Sequence, residues 1–291
     1  MFCFVSRCAA GTGTQGPAAR RATPTGPDLS AKLARLLTVT AFFCVVSGVG
    51  SCASAAPLDD AAERYRPYLV EGIGDALKGA RALQERVSAN DLEGAQQAWL
   101  SARAGWERSE VFTSGFVPQL DQEIDAWPNA TTGFHAIEAK LFGANEITVQ
   151  GDVNALVAHL IELDGNVRKI PLTPQGLLNG TARLAYEVGE SKSDGGESRI
   201  SGTSLHDMRN NIGGIDFAYS TIFAAALEAR DPKLAETARA KIEQLKALVA
   251  VKDLTQIDVP MLRNVTEELV VAFQSAAPKI GLGPPSLEPT P

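Results

Sequence analysis

The strongest constraint on the fold of this chain is a long run of apolar residues that recur every three or four positions. Between Ser204 and Ala229 these residues are Leu205, Met208, Ile212, Ile215, Tyr219, Ile222 and Phe223. This spacing places them on one face of an α-helix. A helix with one long apolar face is stable when other helices cover that face, so the sequence predicts a helical bundle.

The same periodicity predicts further helices along most of the chain. They cover residues 59–87, 90–113, 132–142, 152–167, 174–191, 233–250 and 260–277. Asn90 and Glu93 have the spacing of a capping box. Asp231 and Pro232 form an N-cap followed by proline at the first helical position. Long alternating runs of Val, Ile and Thr are absent, so the prediction is an all-α protein of seven or eight helices.

The chain begins with a segment that resembles an export signal. Leu36–Gly50 carries no charged residue, and Lys32 and Arg35 precede it. A basic stretch, a short apolar stretch and small residues define a secretory signal peptide, and this apolar stretch is shorter than the about 20 residues that span a bilayer. Val49–Cys52 (VGSC) also resembles a bacterial lipobox, in which the cysteine receives a lipid. An ordinary signal peptide cut near residues 53–56 is the alternative.

Cysteine usage and charge narrow the chemistry of the mature protein. All four cysteines lie before residue 53, so cysteine-ligated zinc and iron–sulfur sites are excluded from the folded domain. The formal net charge is −7, and basic residues dominate the first 52 positions. The remainder is therefore strongly acidic, which disfavours nucleic acid as a partner and favours cations.

Three pairs of side chains with metal-binding chemistry occur at a spacing of three residues. They are Glu107/Glu110, His135/Glu138 and His159/Glu162. This spacing puts both members of a pair on one helix face, from which they can reach one ion. Carboxylate oxygen together with imidazole nitrogen suits iron, manganese or zinc. Acidic pairs also occur on solvated helix faces, so the spacing alone leaves both interpretations open.

The two histidine pairs have different sequence surroundings. His159 lies in an apolar stretch (ALVAHLIEL), which favours a core or boundary histidine. His135 follows residues 114–129, which are expected to be irregular and include the acidic segment Leu120–Asp125 (LDQEID). A loop rich in carboxylates beside a His-x-x-Glu helix is a candidate cation pocket.

Common catalytic motifs are absent from the sequence. It contains no HExxH zinc-protease helix, no GxSxG nucleophile elbow and no P-loop. A di-iron oxidase would use Glu-x-x-His motifs on two helices, whereas the order here is reversed. A metallopeptidase-like or di-iron redox enzyme, and a helical scaffold without a ligand, remain the alternatives to a binding protein.

Several stretches, in their order along the chain, resemble the imelysin-like EfeM/EfeO family of iron-uptake lipoproteins. They are Trp106–Phe112, Leu120–Asp125, Gly133–Phe142, Asn179-Gly180, Glu187-Val188 and Ser204–Gly214. The resemblance implies an all-α, imelysin-like fold with two four-helix-bundle-like halves in one elongated domain. It also implies a non-enzymatic protein that binds iron (Fe2+ or Fe3+), with zinc, copper or manganese as alternatives.

The resemblance further implies a ligand set and a cellular setting. The implied metal ligands are Glu107, Glu110, Asp125, His135, Glu138 and Glu187. A lipid on Cys52 would hold the protein at the outer face of the bacterial cytoplasmic membrane, in the periplasm, where an iron permease and a peroxidase of an Efe-type system would be its partners. The expected parts are residues 1–52 (signal peptide and lipobox, with an extended amino terminus), 53–280 (helical metal-binding domain) and 281–291 (disordered Pro-rich tail).

The sequence departs from the family pattern in three places. The family's Ser-His-Thr-Asp-Leu segment aligns with Ser201–Leu205 (SGTSL), so a His and an Asp are expected to be lost. One extra residue before Asp125 makes Asp121 a competing ligand. We expect no cupredoxin domain of the kind that longer family members carry, which would bring this chain closer to the short EfeM form.

Overall fold

The computed structural model describes residues 55–128 and 131–288. Within these ranges every regular element is a helix, which confirms the all-α prediction. The expected signal peptide, the lipobox and Cys52 lie outside the described residues. No helix in the described ranges is both long enough and apolar enough to cross a bilayer.

Eleven α-helices make up the described part of the chain. They are α1 (Ala55–Ser88), α2 (Leu92–Glu107), α3 (Glu110–Phe116), α4 (Pro118–Ile124), α5 (Gly133–Glu138), α6 (Gln150–Val167), α7 (Pro174–Glu187), α8 (Ser204–Ala218), α9 (Ala224–Glu228), α10 (Pro232–Leu248) and α11 (Val259–Ala276). Three π-helical segments continue α5, α7 and α8: Ala139–Ala144, Val188–Lys192 and Tyr219–Phe223. Two short 3₁₀ turns, Leu254–Gln256 and Ala277–Ile280, flank α11.

The helices pack in two groups that share one apolar core. In the first group, α1 lies against α2 and α6, and α5 lies against α6; in the second, α7 lies against α3 and α11, and α10 lies against α11. Helix α8 contacts both α2 and α7 and so links the two groups. Aromatic side chains such as Tyr65, Trp99, Trp106, Tyr219 and Phe273 are fully buried in this core.

The helix starts were predicted with mixed success. Asp231 caps α10 as expected, because its side chain accepts a hydrogen bond from the backbone N–H of Leu234 at 3.2 Å. The prediction that Asn90 caps α2 is wrong. The cap is Asp91, which accepts from the N–H of Gly94 at 2.9 Å, while Asn90 takes a left-handed conformation (φ 56°) that ends the preceding turn.

The single helix predicted over residues 90–113 is broken, and this break shapes the site. Helix α2 ends at Glu107 and α3 begins at Glu110. The side-chain amide of Asn211 on α8 donates to the backbone oxygen of Glu107 at 2.9 Å, where a continuing helix would place its own N–H donor. Gly214 brings α8 close enough that a Cβ there would lie 2.5 Å from the Arg108 carbonyl oxygen. The segment expected to be irregular also contains a helix, α4.

Residues 281–288, which the sequence places in a disordered Pro-rich tail, lie along α7 in the described part of the chain. Pro285 is buried. The N–H of Gly283 donates to the side-chain oxygen of Gln175 at 2.8 Å, and the N–H of Ser286 donates to that of Asn179 at 3.2 Å. Both acceptors lie on α7. Because prolines keep this segment out of a helix, its backbone N–H groups bond to these side chains instead. Residues 289–291 lie outside the described part.

Candidate metal centre

Buried charged side chains are gathered where the two groups of helices meet. The fully or almost fully buried ones are Arg103, Glu107, His135, Glu138, Lys192, Glu197 and Asp207. They come from α2, from α5, from the turn after α7, from the segment between α7 and α8, and from α8. Since an unpaired buried charge is costly, each of these groups needs a partner within the protein.

Arg103 lies at the base of this charged centre. Its guanidinium forms ion pairs with Glu107 and Asp125, with Glu197 at 3.2 Å, and with Asp207 at 3.3 Å. The side chain is fully buried. A planar guanidinium has five N–H donors, so one arginine can hold several carboxylates in a fixed arrangement. Arg103 therefore positions acidic groups from four separate parts of the chain.

Lys192 is the second buried cation. Its Nζ atom lies 2.6 Å from a Glu107 oxygen, 2.9 Å from a Glu197 oxygen and 3.3 Å from a Glu110 oxygen, and its side chain is 2% exposed. The amide of Asn211 also donates to Glu107 at 2.8 Å and to Glu110 at 2.7 Å. Glu107 and Glu110, which were predicted to bind a metal cation, thus receive part of their compensating positive charge from Lys192.

His135 has one satisfied and one unsatisfied ring nitrogen. Nδ1 lies 2.9 Å from Glu138, whose other oxygen accepts from the N–H and the hydroxyl of Ser201 at 2.8 and 2.6 Å. In the neutral ring Nδ1 therefore carries the proton, and Nε2 presents a lone pair. Nε2 is buried without a hydrogen-bond partner, at 3.3 Å from Asp125 and 3.9 Å from Glu197.

Two sets of potential ligand atoms converge in the described part of the chain. One set is Asp125, His135 and Glu197, and the other is Glu107, Glu110 and Asp125; within each set the atoms lie within 4.8 Å of one another. Four of the six ligands predicted from the sequence are therefore brought together. Asp125 belongs to both sets, and the indole N–H of Trp106 holds its other oxygen at 3.0 Å.

The other two predicted ligands, Glu138 and Glu187, lie outside both converging sets. Glu138 faces His135 and Ser201, so it positions the imidazole. Glu187 is 29% exposed and paired with Arg183 at 2.7 Å. It lines a cleft of about 80 Å³ that also contacts Asp121, Glu110 and Lys192. Asp121, the competitor of Asp125, thus lies on the cleft wall outside both converging sets.

Burial changes the proton affinity of the acids that face the cleft. It raises the pKa of Asp121 to about 7 and raises the pKa of Glu187. Burial, together with the charge of Glu107, holds the pKa of Glu110 well above its usual range. Burial would also raise the pKa of Asp125, but the charge of Arg103, its hydrogen bond to Asp125 and the other positive neighbours together outweigh burial and lower that pKa. A metal cation near the cleft would favour the charged forms of Asp121, Glu187 and Glu110 and so oppose these upward shifts in pKa.

Comparison with known proteins assigns the chain to a family. The profile of imelysin, also designated peptidase M75, matches residues 61–131 and 129–269. The chain belongs to the imelysin family. Two relatives, from Staphylococcus haemolyticus (strain JCSC1435) and Staphylococcus aureus (strain MRSA252), are described as EfeM/EfeO family lipoproteins. They are 29% and 28% identical over 205 residues, which cover 67% of this chain and 71% and 72% of theirs.

A solved structure supports the imelysin fold independently. It is that of a candidate iron-regulated protein A precursor from Parabacteroides distasonis, with a TM-score of 0.62 and 18% sequence identity. The alignment covers 80% of this chain and 97% of the other. At this identity the likeness shows the fold alone, and it confirms the imelysin-like, all-α prediction.

Four charged residues of the centre were not predicted from the sequence. They are Arg103, Lys192, Glu197 and Asp207. Arg103 precedes Glu107 by four residues on α2, a spacing that could have indicated an ion pair. Glu197 lies between the helices predicted over residues 174–191 and 204–229, where helical spacing gives no indication of its partners. The family's Ser-His-Thr-Asp-Leu segment was aligned with Ser201–Leu205, where its Asp is lost. The order Ser-x-x-Asp recurs three residues later, at Ser204 and Asp207, so the chain does supply this acid.

His159, the other histidine in a His-x-x-Glu pair, lies away from the imelysin centre. It is 28% exposed, and its Nε2 lies 3.4 Å from an oxygen of Glu123. Its partner by spacing, Glu162, is exposed. Neither residue belongs to a converging set in the described ranges.

Proposed function

We propose that this protein captures an iron ion outside the cytoplasmic membrane and delivers it to a membrane permease. The observation that carries the proposal is the buried, unpartnered Nε2 of His135, which faces oxygens of Asp125 and Glu197. A lone pair directed at two carboxylates is unfavourable unless a proton or a metal cation lies between them. A metal ion would satisfy all three atoms at once.

The charge of the surroundings supports a cation. Two buried cations, Arg103 and Lys192, face five carboxylates, those of Glu107, Glu110, Asp125, Glu197 and Asp207. The ionised groups of the centre therefore carry a net negative charge, which a bound divalent or trivalent ion would balance. Imidazole nitrogen combined with carboxylate oxygen suits iron, manganese or zinc. The EfeM/EfeO lipoprotein relatives favour iron among these.

The proposed ligands are those of the two converging sets. They are Glu107, Glu110, Asp125, His135 and Glu197. Glu138 orients the imidazole, in the way that carboxylates commonly hold metal-bound histidines. Glu187 and Asp121 line the cleft through which an ion would enter.

We propose binding rather than catalysis as the role of this site. Hydrolysis by a metal ion needs a free carboxylate that can take a proton from bound water. Glu138, the acid of the His-x-x-Glu pair, is already held by His135 and by two hydrogen bonds from Ser201. That carboxylate is therefore committed to positioning.

The test is a titration of the purified protein with ferrous iron under anaerobic conditions. Replacing Glu107→Gln and Glu110→Gln together removes two charges but keeps hydrogen-bonding groups beside Lys192 and Asn211. Affinity should fall at least tenfold, which is about 1.4 kcal/mol. The control, Glu236→Gln with Glu243→Gln, removes the same charge from exposed positions on α10 and should bind like wild type. Equal affinity in the first variant, with its helical spectrum intact, would refute the site.

The location outside the membrane is proposed separately from the metal site. Cys52 in the lipobox would carry the lipid anchor, and an iron permease and a peroxidase of an Efe-type system would be the partners. Palmitate labelling of cells that express the protein should depend on Cys52. A Cys52→Ala protein that still takes up the label and sediments with membranes would contradict the anchor.

A further inference from the structure

We propose that Lys192 is a specificity-determining residue, a tethered cation that occupies the cargo position until an ion of higher charge displaces it. The proposal rests on the function proposed above, because it concerns the same carboxylates. Its own basis is geometric. Nζ lies 2.6, 2.9 and 3.3 Å from oxygens of Glu107, Glu197 and Glu110, all of them proposed ligands. A metal ion cannot bind these oxygens while the ammonium remains among them.

The backbone that carries Lys192 is firmly placed. Lys192 ends the π-helical turn Val188–Lys192. Gly189 in this turn packs so tightly on α11 that a Cβ would lie 2.2 Å from the Thr266 hydroxyl oxygen. The side chain of Arg263 also donates to the Gly189 carbonyl oxygen at 3.0 Å. Displacement would therefore be a movement of the lysine side chain rather than of the turn.

The lysine side chain has a space to enter. Lys192 lines the cleft together with Glu187, Ser191 and Asp121. An ammonium that rotates out of the centre would meet carboxylates on the cleft wall, so it would keep a negatively charged environment. The lysine can thus alternate between two acidic surroundings without leaving the protein.

A tethered ammonium selects ions by charge. Because it is attached to the protein, its effective concentration at the site reaches the millimolar range or more. A monovalent ion that replaces it exchanges one positive charge for another and gains little. A divalent or trivalent ion doubles or triples the attraction to the same carboxylates. Abundant monovalent ions are thereby excluded.

The first experiment follows the lysine in the unmodified protein. The protein is acetylated briefly with an amine-reactive ester, with and without saturating Mn2+ as a redox-stable probe, and the modified lysines are identified by mass spectrometry. Lys192, 2% exposed, should be protected without the ion and should react at least tenfold faster with it. Lys140, which is 42% exposed and paired with Asp152, should react equally in both samples. Lys192 that stays protected with bound Mn2+ would overturn the proposal.

The second experiment removes the competing charge. Lys192→Gln should bind Mn2+ at least tenfold more tightly than wild type, while Lys140→Gln should match wild type. Binding by Lys192→Gln should also be weakened more by sodium chloride than by choline chloride at equal ionic strength, whereas wild type should respond alike to both salts. Unchanged or weaker Mn2+ binding by Lys192→Gln would overturn the proposal. If that variant does not fold, the acetylation result decides.

The two proposals fail in different ways. If neither wild type nor Lys192→Gln binds Mn2+, the metal site is wrong and the role of Lys192 falls with it. If wild type binds the ion while Lys192 stays protected, the metal site stands and only the displacement is refuted.

Discussion

Two helices of this protein carry the same His-x-x-Glu spacing in different surroundings. His135 on α5 is 1% exposed, is held by Glu138, and faces Asp125 and Glu197. His159 on α6 is 28% exposed and lies near a single carboxylate. The spacing brings a histidine and an acid to one face in both cases.

What distinguishes the two pairs is the packing around them. Helix α5 is buried on all sides, and charged groups from two other parts of the chain, Asp125 and Glu197, face its His135. Helix α6 has one exposed face, and His159 lies partly on it. Its buried Nδ1 also lacks a hydrogen-bond partner, but no converging set of ligand atoms surrounds it in the described ranges. A metal site therefore depends on convergence from distant segments, which local spacing does not encode.

The largest effect is expected on removing the arginine beneath His135. Arg103→Met leaves four buried carboxylates without their shared partner, so the free energy of unfolding should fall by at least about 3 kcal/mol. Arg168→Met, which breaks an exposed pair with Asp164 on α6, should leave stability almost unchanged. Urea denaturation followed by circular dichroism measures both. Equal stability of the two variants would show that the charged centre is not a structural unit.

The sequence was sufficient for the fold but only partly sufficient for the site. Helix periodicity depends on local spacing, so α6 and α10 were predicted to within a few residues. The break between Glu107 and Glu110 was missed because Asn211, about 100 residues later, supplies the hydrogen bond that ends α2. Lys192 and Glu197 were missed for the same reason, since their partners lie on other helices.

The next effect concerns metal affinity at the two histidines. His135→Ala removes the nitrogen ligand, so iron binding should weaken at least tenfold. His159→Ala should leave it unchanged. Anaerobic calorimetry with ferrous iron measures both affinities. A comparable loss in the two variants would place His159 in the site and revive a di-iron centre.

A smaller effect is expected from the acids that partner each histidine by spacing. Glu138→Gln weakens the hold on the His135 ring, and loss of such a carboxylate commonly reduces metal affinity about tenfold. Glu162→Gln on exposed α6 should have no effect on iron binding. If Glu138→Gln binds iron like wild type, the orienting role of Glu138 is wrong.

The smallest effect is a change in how stability depends on pH. Asp121 has a pKa of about 7 in the folded protein, raised by burial above its usual value near 4. Its proton therefore stabilises the fold at acidic pH, and this contribution is lost as the pH rises toward and through 7. Asp121→Asn should decline less in stability between pH 4 and 7 than wild type does. Parallel declines in thermal melts at several pH values would contradict the shift.

The most direct test of the metal centre is the position of the ion itself. Crystals grown anaerobically with ferrous iron should give an anomalous peak at the iron absorption edge. The peak should lie about 2.0–2.6 Å from His135 Nε2 and from oxygens of Asp125 and Glu197, the range of metal–ligand bonds. A peak beside His159 and Glu123, or an iron-loaded protein with no peak in the buried centre, would contradict the account.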